Sequence, residues 1–315
     1  MPEAWRDRYQ PFENAEWEGW VETSLATSGA KYLENPAGAF EEGALRWFKQ
    51  GRNRLAEVRW PRPRGVAGVS DEEETGESIA ETVVLKEYRS IGLTGAVRSA
   101  LRPPRAVGGW QKAFVLMGRG FSTPRPLWLA LSKRGGPCAR AYLAVETAPP
   151  HIRLREILKQ IAAGARDLRI GNNLRIETNL FLSILAGYVR SLHDAGIWHR
   201  DFSGGNLLIS EDWRPARPRA GSAPEPFILI DINRARIFPP GALSLPRRLQ
   251  DLERISLPEE LRPAFYAAYA AGNPDLLRAD GTYLLWARRY RRLREDRNPV
   301  TRLCRKIVTY WLRLP

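Results

Sequence analysis

Residues 192–209 read LHDAGIWHRDFSGGNLLI, and residues 227–236 read FILIDINRAR. An apolar helical run enters the first segment, a loop and a short strand follow, and a later strand carries Asp231 at its end. His199, Arg200, Asp201 and Asn206 match the pattern H-R-D-x-x-x-x-N in full, in the turn-to-strand context that the pattern requires. Phosphoryl transfer asks for little covalent chemistry from a protein. It needs the attacking oxygen positioned and the phosphate charge neutralised by metal ions. A loop aspartate such as Asp201 can accept the hydrogen bond of an acceptor hydroxyl. The amide oxygen of Asn206 and the carboxylate of Asp231 are hard oxygen ligands suited to Mg²⁺. An isolated Asp and Asn in a Gly-Gly-Asn loop would ordinarily serve the turn itself. Four fixed residues, an apolar helix before them and a strand-borne Asp after them favour chemistry. His199 is read as a scaffold of the loop.

Upstream, Leu180, Ile184, Leu185, Val189 and Leu192 recur at helical spacing and predict a helix over 178–193, with another over 154–161. Before Pro149 and Pro150 the character is that of strands. ALRWFK, the turn QGRN and RLAEVRW (44–60) predict a β-hairpin, and TVVLKEY (82–88) predicts a further strand. Strands are also expected over 127–131 and 141–145, with a helix after Pro104 that ends near Gly118 and Gly120. Strands first and helices later give an α+β chain with a boundary at about 146–150. Residues 1–39 read as an N-terminal extension, 40–146 as a β-rich nucleotide-binding lobe, and 147–315 as a helical lobe with the catalytic loop and basic C-terminal helices. Residues 61–78, rich in Pro, Gly and acids, are expected as an exposed loop.

Lys86 lies on the strand after the hairpin, as a lysine holding nucleotide phosphates would. The turn at Gly51, Arg52 and Asn53 is the candidate cover for those phosphates, through its amides and polar side chains.

The formal net charge is +14, from 49 Lys and Arg against 35 Asp and Glu. That balance calls for an anionic partner. No Asp or Glu occurs from Arg89 through Val145. Arg288, Arg289, Arg291, Arg292 and Arg294 near Trp286 and Tyr290 suit an interfacial helix or a solvated face. No recognition helix, zinc finger or aromatic RNA-binding pattern is present, which disfavours nucleic acid. Cys138 and Cys304 stand far apart without a CxxC pattern, and three histidines are too scattered for zinc. The first residues fit neither a secretory signal nor a membrane span, so a cytoplasmic location is expected.

KQGRNRLAEV, VVLKEY, GRGFSTPRPL, AYLAVE, LHDAGIWHRDFSGGNLL, LIDINRAR and RRLQDLERI together resemble the bacterial lipopolysaccharide kinase family, the Kdo and heptose kinases, over about 44–269. The resemblance implies a two-lobed protein-kinase-like fold with a β-rich N-lobe and a helical C-lobe. It implies ATP and Mg²⁺ as cofactors, with Asp201 as the catalytic base-like residue and Asn206 and Asp231 on the metal. Lys86 would hold phosphate, and Glu146 would begin the adenine-binding hinge. The acceptor it implies is an anionic sugar or glycolipid of the inner lipopolysaccharide core, met peripherally at the cytoplasmic face of the inner membrane. Asp231 is followed by Ile232 and Asn233, not Phe-Gly, and no Ala-Pro-Glu segment follows. The long peptide-docking loop of protein kinases is therefore missing. The helix after Lys86 offers Gln111 where a glutamate would pair with the lysine. An atypical RIO-like serine/threonine kinase and a pseudokinase scaffold without turnover are the alternative readings.

Overall fold

The alternation in residues 44–60 is realised as strands β3 (Ala44–Lys49) and β4 (Leu55–Trp60), in which Ala56, Val58 and Trp60 are buried. A computed structural model of the chain describes residues 3–51, 53–60, 81–89, 104–134, 140–171, 174–213 and 226–271. The exposed loop expected over 61–78, both cysteines and the basic tail lie outside the described residues. Two compact units result, Met1–Ala148 and Pro149–Pro315.

The first unit is built on a seven-stranded antiparallel sheet in the order β1-β2-β6-β7-β5-β4-β3. Here β1 is Tyr9–Glu13, β2 Trp17–Glu22, β5 Glu81–Arg89, β6 Pro126–Ser132 and β7 Arg140–Glu146. Residues 1–39 were expected as an extension, yet β1 and β2 complete one edge of this sheet. The reason is long-range: β2 pairs with β6, and Gly19 permits the approach, since a Cβ there would sit 1.9 Å from the Leu129 carbonyl oxygen. Short helices α1 (Thr23–Ala26), α2 (Ala30–Glu34) and α3 (Gly38–Gly43) follow. Their Leu25, Tyr32 and Phe40 join Trp17, Val58, Trp60, Val83, Leu85 and Trp128 in a core on one face of the sheet. On the other face α4 (Arg105–Gly118) buries Trp110 and Phe114 against Tyr9, Tyr88, Leu129 and Leu143.

Strand alternation assigns the residues of β5 to these two faces. Val83, Leu85 and Glu87 share the first, and Lys86 shares the second with its cross-strand neighbour Leu143. Glu87 is fully buried and is satisfied by hydrogen bonds from Arg54 Nε at 2.5 Å and the Tyr142 hydroxyl at 3.0 Å, with Arg89 Nε 2.9 Å away. Burial raises its pKa, but hydrogen bonds from Arg54 and Arg89 and the charge of Arg54 outweigh that and hold it below the usual 4.5. Burial, with the neighbouring Glu87 charge, pushes Tyr142 up to about 12.

In the second unit, α5 (Leu154–Ala162) and α6 (Thr178–Asp194) are the helices foreseen over 154–161 and 178–193. The buried stripe of α6 runs through Phe181, Leu185, Tyr188, Val189 and Leu192. Leu180, expected on that stripe, is 49% exposed, because the packed face is set by α8 (Arg262–Ala270) and the Phe227 ring, not by apolar spacing alone. The small sheets are β8 (His151–Arg153), β12 (Leu207–Ser210) and β13 (Phe227–Leu229) in the order β13-β12-β8; β9 (Asp167–Ile170) with β10 (Leu174–Glu177); and β11 (Ile197–Trp198) with β14 (Arg236–Ile237).

Between α6, α7 (Leu245–Leu252) and α8 lies a buried polar cluster. His193 Nδ1 is 2.8 Å from the Tyr269 hydroxyl, and its Nε2 is 3.6 Å from Asp251 Oδ2. Arg248 donates to Asp194 at 2.5 Å and to the Leu243 carbonyl at 3.0 Å. Burial lowers the pKa of His193 below the usual 6.5, against the opposing pull of Asp251.

In Glu87→Gln the half-buried guanidinium groups of Arg54 and Arg89 lose their counter-charge, and urea denaturation should register a loss of about 1.5–3 kcal/mol. Wild-type Glu87 contributes stability above pH 4.5 that disappears as pH falls through its lower native pKa. His193 acts at a higher pH in the same sense. Its native pKa is below 6.5, so the unfolded chain takes up the proton first, and stability is full above pH 6.5 and declines on acidification. A denaturation midpoint that stays level from pH 7 to 5.5 would refute the buried neutral histidine.

Candidate active site

β11 leads directly into the loop, where the chain turns at Arg200 with φ +67°. Asp231, with φ +52°, is the other non-glycine residue with positive φ among the described residues. Such conformations cost on the order of 1–3 kcal/mol and persist only where the surroundings impose them. At Arg200 the constraint is Asp251. Its Oδ2 accepts the His199 N–H at 2.7 Å and its Oδ1 the Arg200 N–H at 2.8 Å, and the residue is fully buried. These are charge-assisted bonds to two consecutive amides, and they fix the direction in which the next residue, Asp201, leaves the backbone.

The buried His199 ring braces the loop from within. Its Nδ1 accepts the Asp201 N–H at 3.3 Å, which assigns the proton to Nε2 for donation to the Ile230 carbonyl at 3.1 Å. Asn206 Nδ2 donates to the Asp201 carbonyl at 2.8 Å, leaving the amide oxygen as the acceptor atom of that side chain. Its own carbonyl accepts the Ile230 N–H at 3.0 Å. Both backbone groups of Ile230 are thus tied to the loop, and Asp231 is the next residue. Asp201, Asn206 and Asp231 are brought together through these bonds. Asp231 is exposed, and its Oδ1 accepts from Asn233 Nδ2 at 2.9 Å. Gly204 closes against α5, where its carbonyl accepts the Arg155 N–H at 2.7 Å. A Cβ at this glycine would meet that nitrogen at 2.9 Å.

Two arginines not anticipated from the motif reach the Asp201 carboxylate. Arg254 Nη1 lies 2.9 Å from Oδ1 and Arg234 Nη1 3.4 Å from Oδ2. Their side chains are 25% and 69% exposed, against 27% for Asp201. Asp251 and Arg254 both fall within RRLQDLERI, the segment whose family likeness was the available signal. Their roles depend on contacts about fifty positions away and have no local signature.

In the first unit, Lys86 pairs with Leu55 on one side and Leu143 on the other, on the α4 face of the sheet, and its Nζ lies 5.2 Å from the centre of the Tyr88 ring. Gly51 and Asn53 belong to the β3–β4 turn; Arg52 lies outside the described residues. Arg54, at the base of that turn, is held by Glu87 through its side chain and accepts the Glu87 N–H at 2.9 Å through its carbonyl. Glu146 ends β7 opposite Val83, three residues along β5 from Lys86. Its carboxylate receives Arg125 Nε at 2.8 Å and Nη2 at 2.5 Å, and Arg125 also bonds Glu22. Burial lowers the pKa of Arg125, and the two carboxylates more than reverse this, raising it.

Among the described residues no helix is long and apolar enough to cross a membrane, and no group of three His, Cys, Asp or Glu side chains could hold a metal ion. Mg²⁺ is commonly bound by one or two protein oxygens together with phosphates and water, and the side-chain oxygens of Asn206 and Asp231 are of that hard class.

No curated protein matches the chain in sequence. A solved structure described as WaaP in complex with acyl carrier protein is similar in fold, with a TM-score of 0.55 at 16% identity, covering 85% of this chain and 96% of that one. The family model described as lipopolysaccharide kinase (Kdo/WaaP) matches residues 57–272, a span that takes in Lys86, the His199–Asn206 loop, Asp231 and the Asp251 anchor. The chain therefore belongs to the lipopolysaccharide kinase (Kdo/WaaP) family.

Proposed function

We propose that the protein is an ATP-dependent kinase that transfers the γ-phosphate to a sugar hydroxyl of a lipopolysaccharide core or a related glycolipid. The observation that carries this is the joined loop and strand end of the second unit, where Asp201, Asn206 and Asp231 are locked together by the Ile230 backbone in a chain of this family. Asp201 accepts the hydrogen bond of the acceptor hydroxyl and orients its oxygen. Asn206 and Asp231 hold Mg²⁺, which neutralises phosphate charge. In the first unit, taken as the N-lobe of a two-lobed kinase, Lys86 binds the nucleotide phosphates and the turn at Gly51, Arg52 and Asn53 covers them. Glu146, braced by Arg125, begins the segment that meets adenine.

The absence of a peptide-docking segment after Asp231 supports a carbohydrate over a protein acceptor. The net charge of +14 supports an anionic one, approached peripherally at a membrane surface. The acyl carrier protein in the WaaP structure suggests a protein partner of that kind here as well. One feature favours the scaffold reading: α4, the helix on the face of Lys86, contains no Asp or Glu.

The test is transfer of labelled phosphate from MgATP to lipid-linked core sugars, with a generic protein as the competing acceptor. Wild type should label the glycolipid, and Asp201→Ala should lose about 10²–10⁴-fold in rate. Asn206→Ala and Asp231→Ala should raise the Mg²⁺ concentration required. Transfer that persists in Asp201→Ala and Asp231→Ala would sink the kinase reading. Nucleotide binding without transfer to any acceptor would establish the scaffold.

A further inference from the structure

Between Asp201 and Asn206 the loop reads Phe202, Ser203, Gly204 and Gly205, and none of these carries charge. In transfer, a bond forms between the acceptor oxygen and the γ-phosphorus and the bond to the bridging oxygen breaks. The electron pair leaves with ADP, and the hydroxyl proton passes toward Asp201. Negative charge is spread over the oxygens of the moving phosphoryl group beside Asp201, where a fixed cation lowers the barrier most. The loop's own cation, Arg200, lies over the Trp198 ring at 5.0 Å from its centre, and the cation at the Asp201 carboxylate comes from elsewhere in the fold.

Arg254 lies in the turn that follows α7, three residues after Asp251. Asp251 grips the backbone of His199 and Arg200, and Arg254 grips the side chain of Asp201 at 2.9 Å, so one short segment fixes both. A guanidinium presents a planar fork of N–H donors and stays charged, so it can hold a carboxylate and a phosphate oxygen together. Its partial burial protects the interaction from screening, which the more exposed and more distant Arg234 does not share. Gly205 leaves space on the loop, since a Cβ there would meet only Ser203 Oγ at 3.8 Å.

Resting on the kinase reading above, we propose that Arg254 is the catalytic cation of this site, orienting Asp201 with one N–H and neutralising the transferring phosphoryl group with its remaining donors. Arg234 makes the longer and more exposed contact to the same carboxylate.

Full-length wild type, Arg254→Gln, Arg254→Lys and Arg234→Gln are compared with MgATP as the probe, water serving as the acceptor. Phosphate release gives kcat, calorimetry gives the MgATP dissociation constant, and circular dichroism gives the melting temperature. Arg254→Gln should lose about 10²-fold or more in kcat, with MgATP affinity within about threefold of wild type. Arg254→Lys keeps the charge without the fork and should lose about tenfold, while Arg234→Gln, which removes the longer and more exposed contact to Asp201, should lose less than Arg254→Gln. An Arg254→Gln rate near that of wild type, or a loss confined to MgATP affinity, overturns the proposal alone. Wild type that binds MgATP but neither releases phosphate nor labels the lipid-linked core sugars overturns the kinase reading and this proposal with it; if it labels the sugars without releasing phosphate, that labelling rate replaces phosphate release in the comparison. Should Arg254→Gln fail to fold, a wild-type rate in Arg254→Lys is the overturning result.

Discussion

The geometry of the loop rests on one buried carboxylate. Asp251 has no exposure, and leaving it charged in the interior would be costly without compensation. Two consecutive backbone amides of the loop provide that compensation, with His193 beside it. The dependence runs both ways. The carboxylate is tolerable because the loop turns its amides inward, and the loop can hold a left-handed Arg200 because the carboxylate is fixed on a helix. Removing either partner would leave an unpaired polar group in the interior, which is why the arrangement has little room to relax.

The first unit contains a comparable solution in a sheet. Successive residues of β5 send Lys86 and Glu87 to opposite faces, so two adjacent charges have unrelated tasks. Glu87 is consumed by the interior, where it ties the base of the β3–β4 turn to the neighbouring strand through Arg54. Lys86 is left on the α4 face.

Most regular elements around these sites could be read from local pattern. The hairpin at 44–60, the strand bearing Lys86, the helix after Pro104 and the helices at 154 and 178 arise from spacing, turn residues and proline placement, which are properties of neighbours in sequence. The loop at 199–206 could be singled out for a related reason: the four residues of its pattern lie within eight positions. What could not be read depends on distant partners. The pairing of residues 9–22 is decided by β6, more than a hundred residues later, and a stretch of tryptophans and mixed charges gives no hint of it. Arg125 gave no sign that it would bridge Glu22 and Glu146, and Asp251 and Arg254 carried only a family likeness. The exposure of Leu180 shows the converse, since spacing nominated it for a face that packing placed elsewhere.

The Tyr9 hydroxyl donates to the Pro126 carbonyl at 2.6 Å across 117 positions, and the sheet edge formed by β1 and β2 closes only on β6. During translation the first strands must therefore wait for their partner. At typical rates of synthesis that delay is on the order of ten seconds, far longer than a hairpin needs to form. Through that interval Trp17 and Val21, buried in the finished sheet, lack the β6 and β7 partners that cover them. The segment that completes the sheet in the finished protein is thus, while the chain is being made, an uncovered apolar surface that a holding chaperone could occupy until β6 arrives.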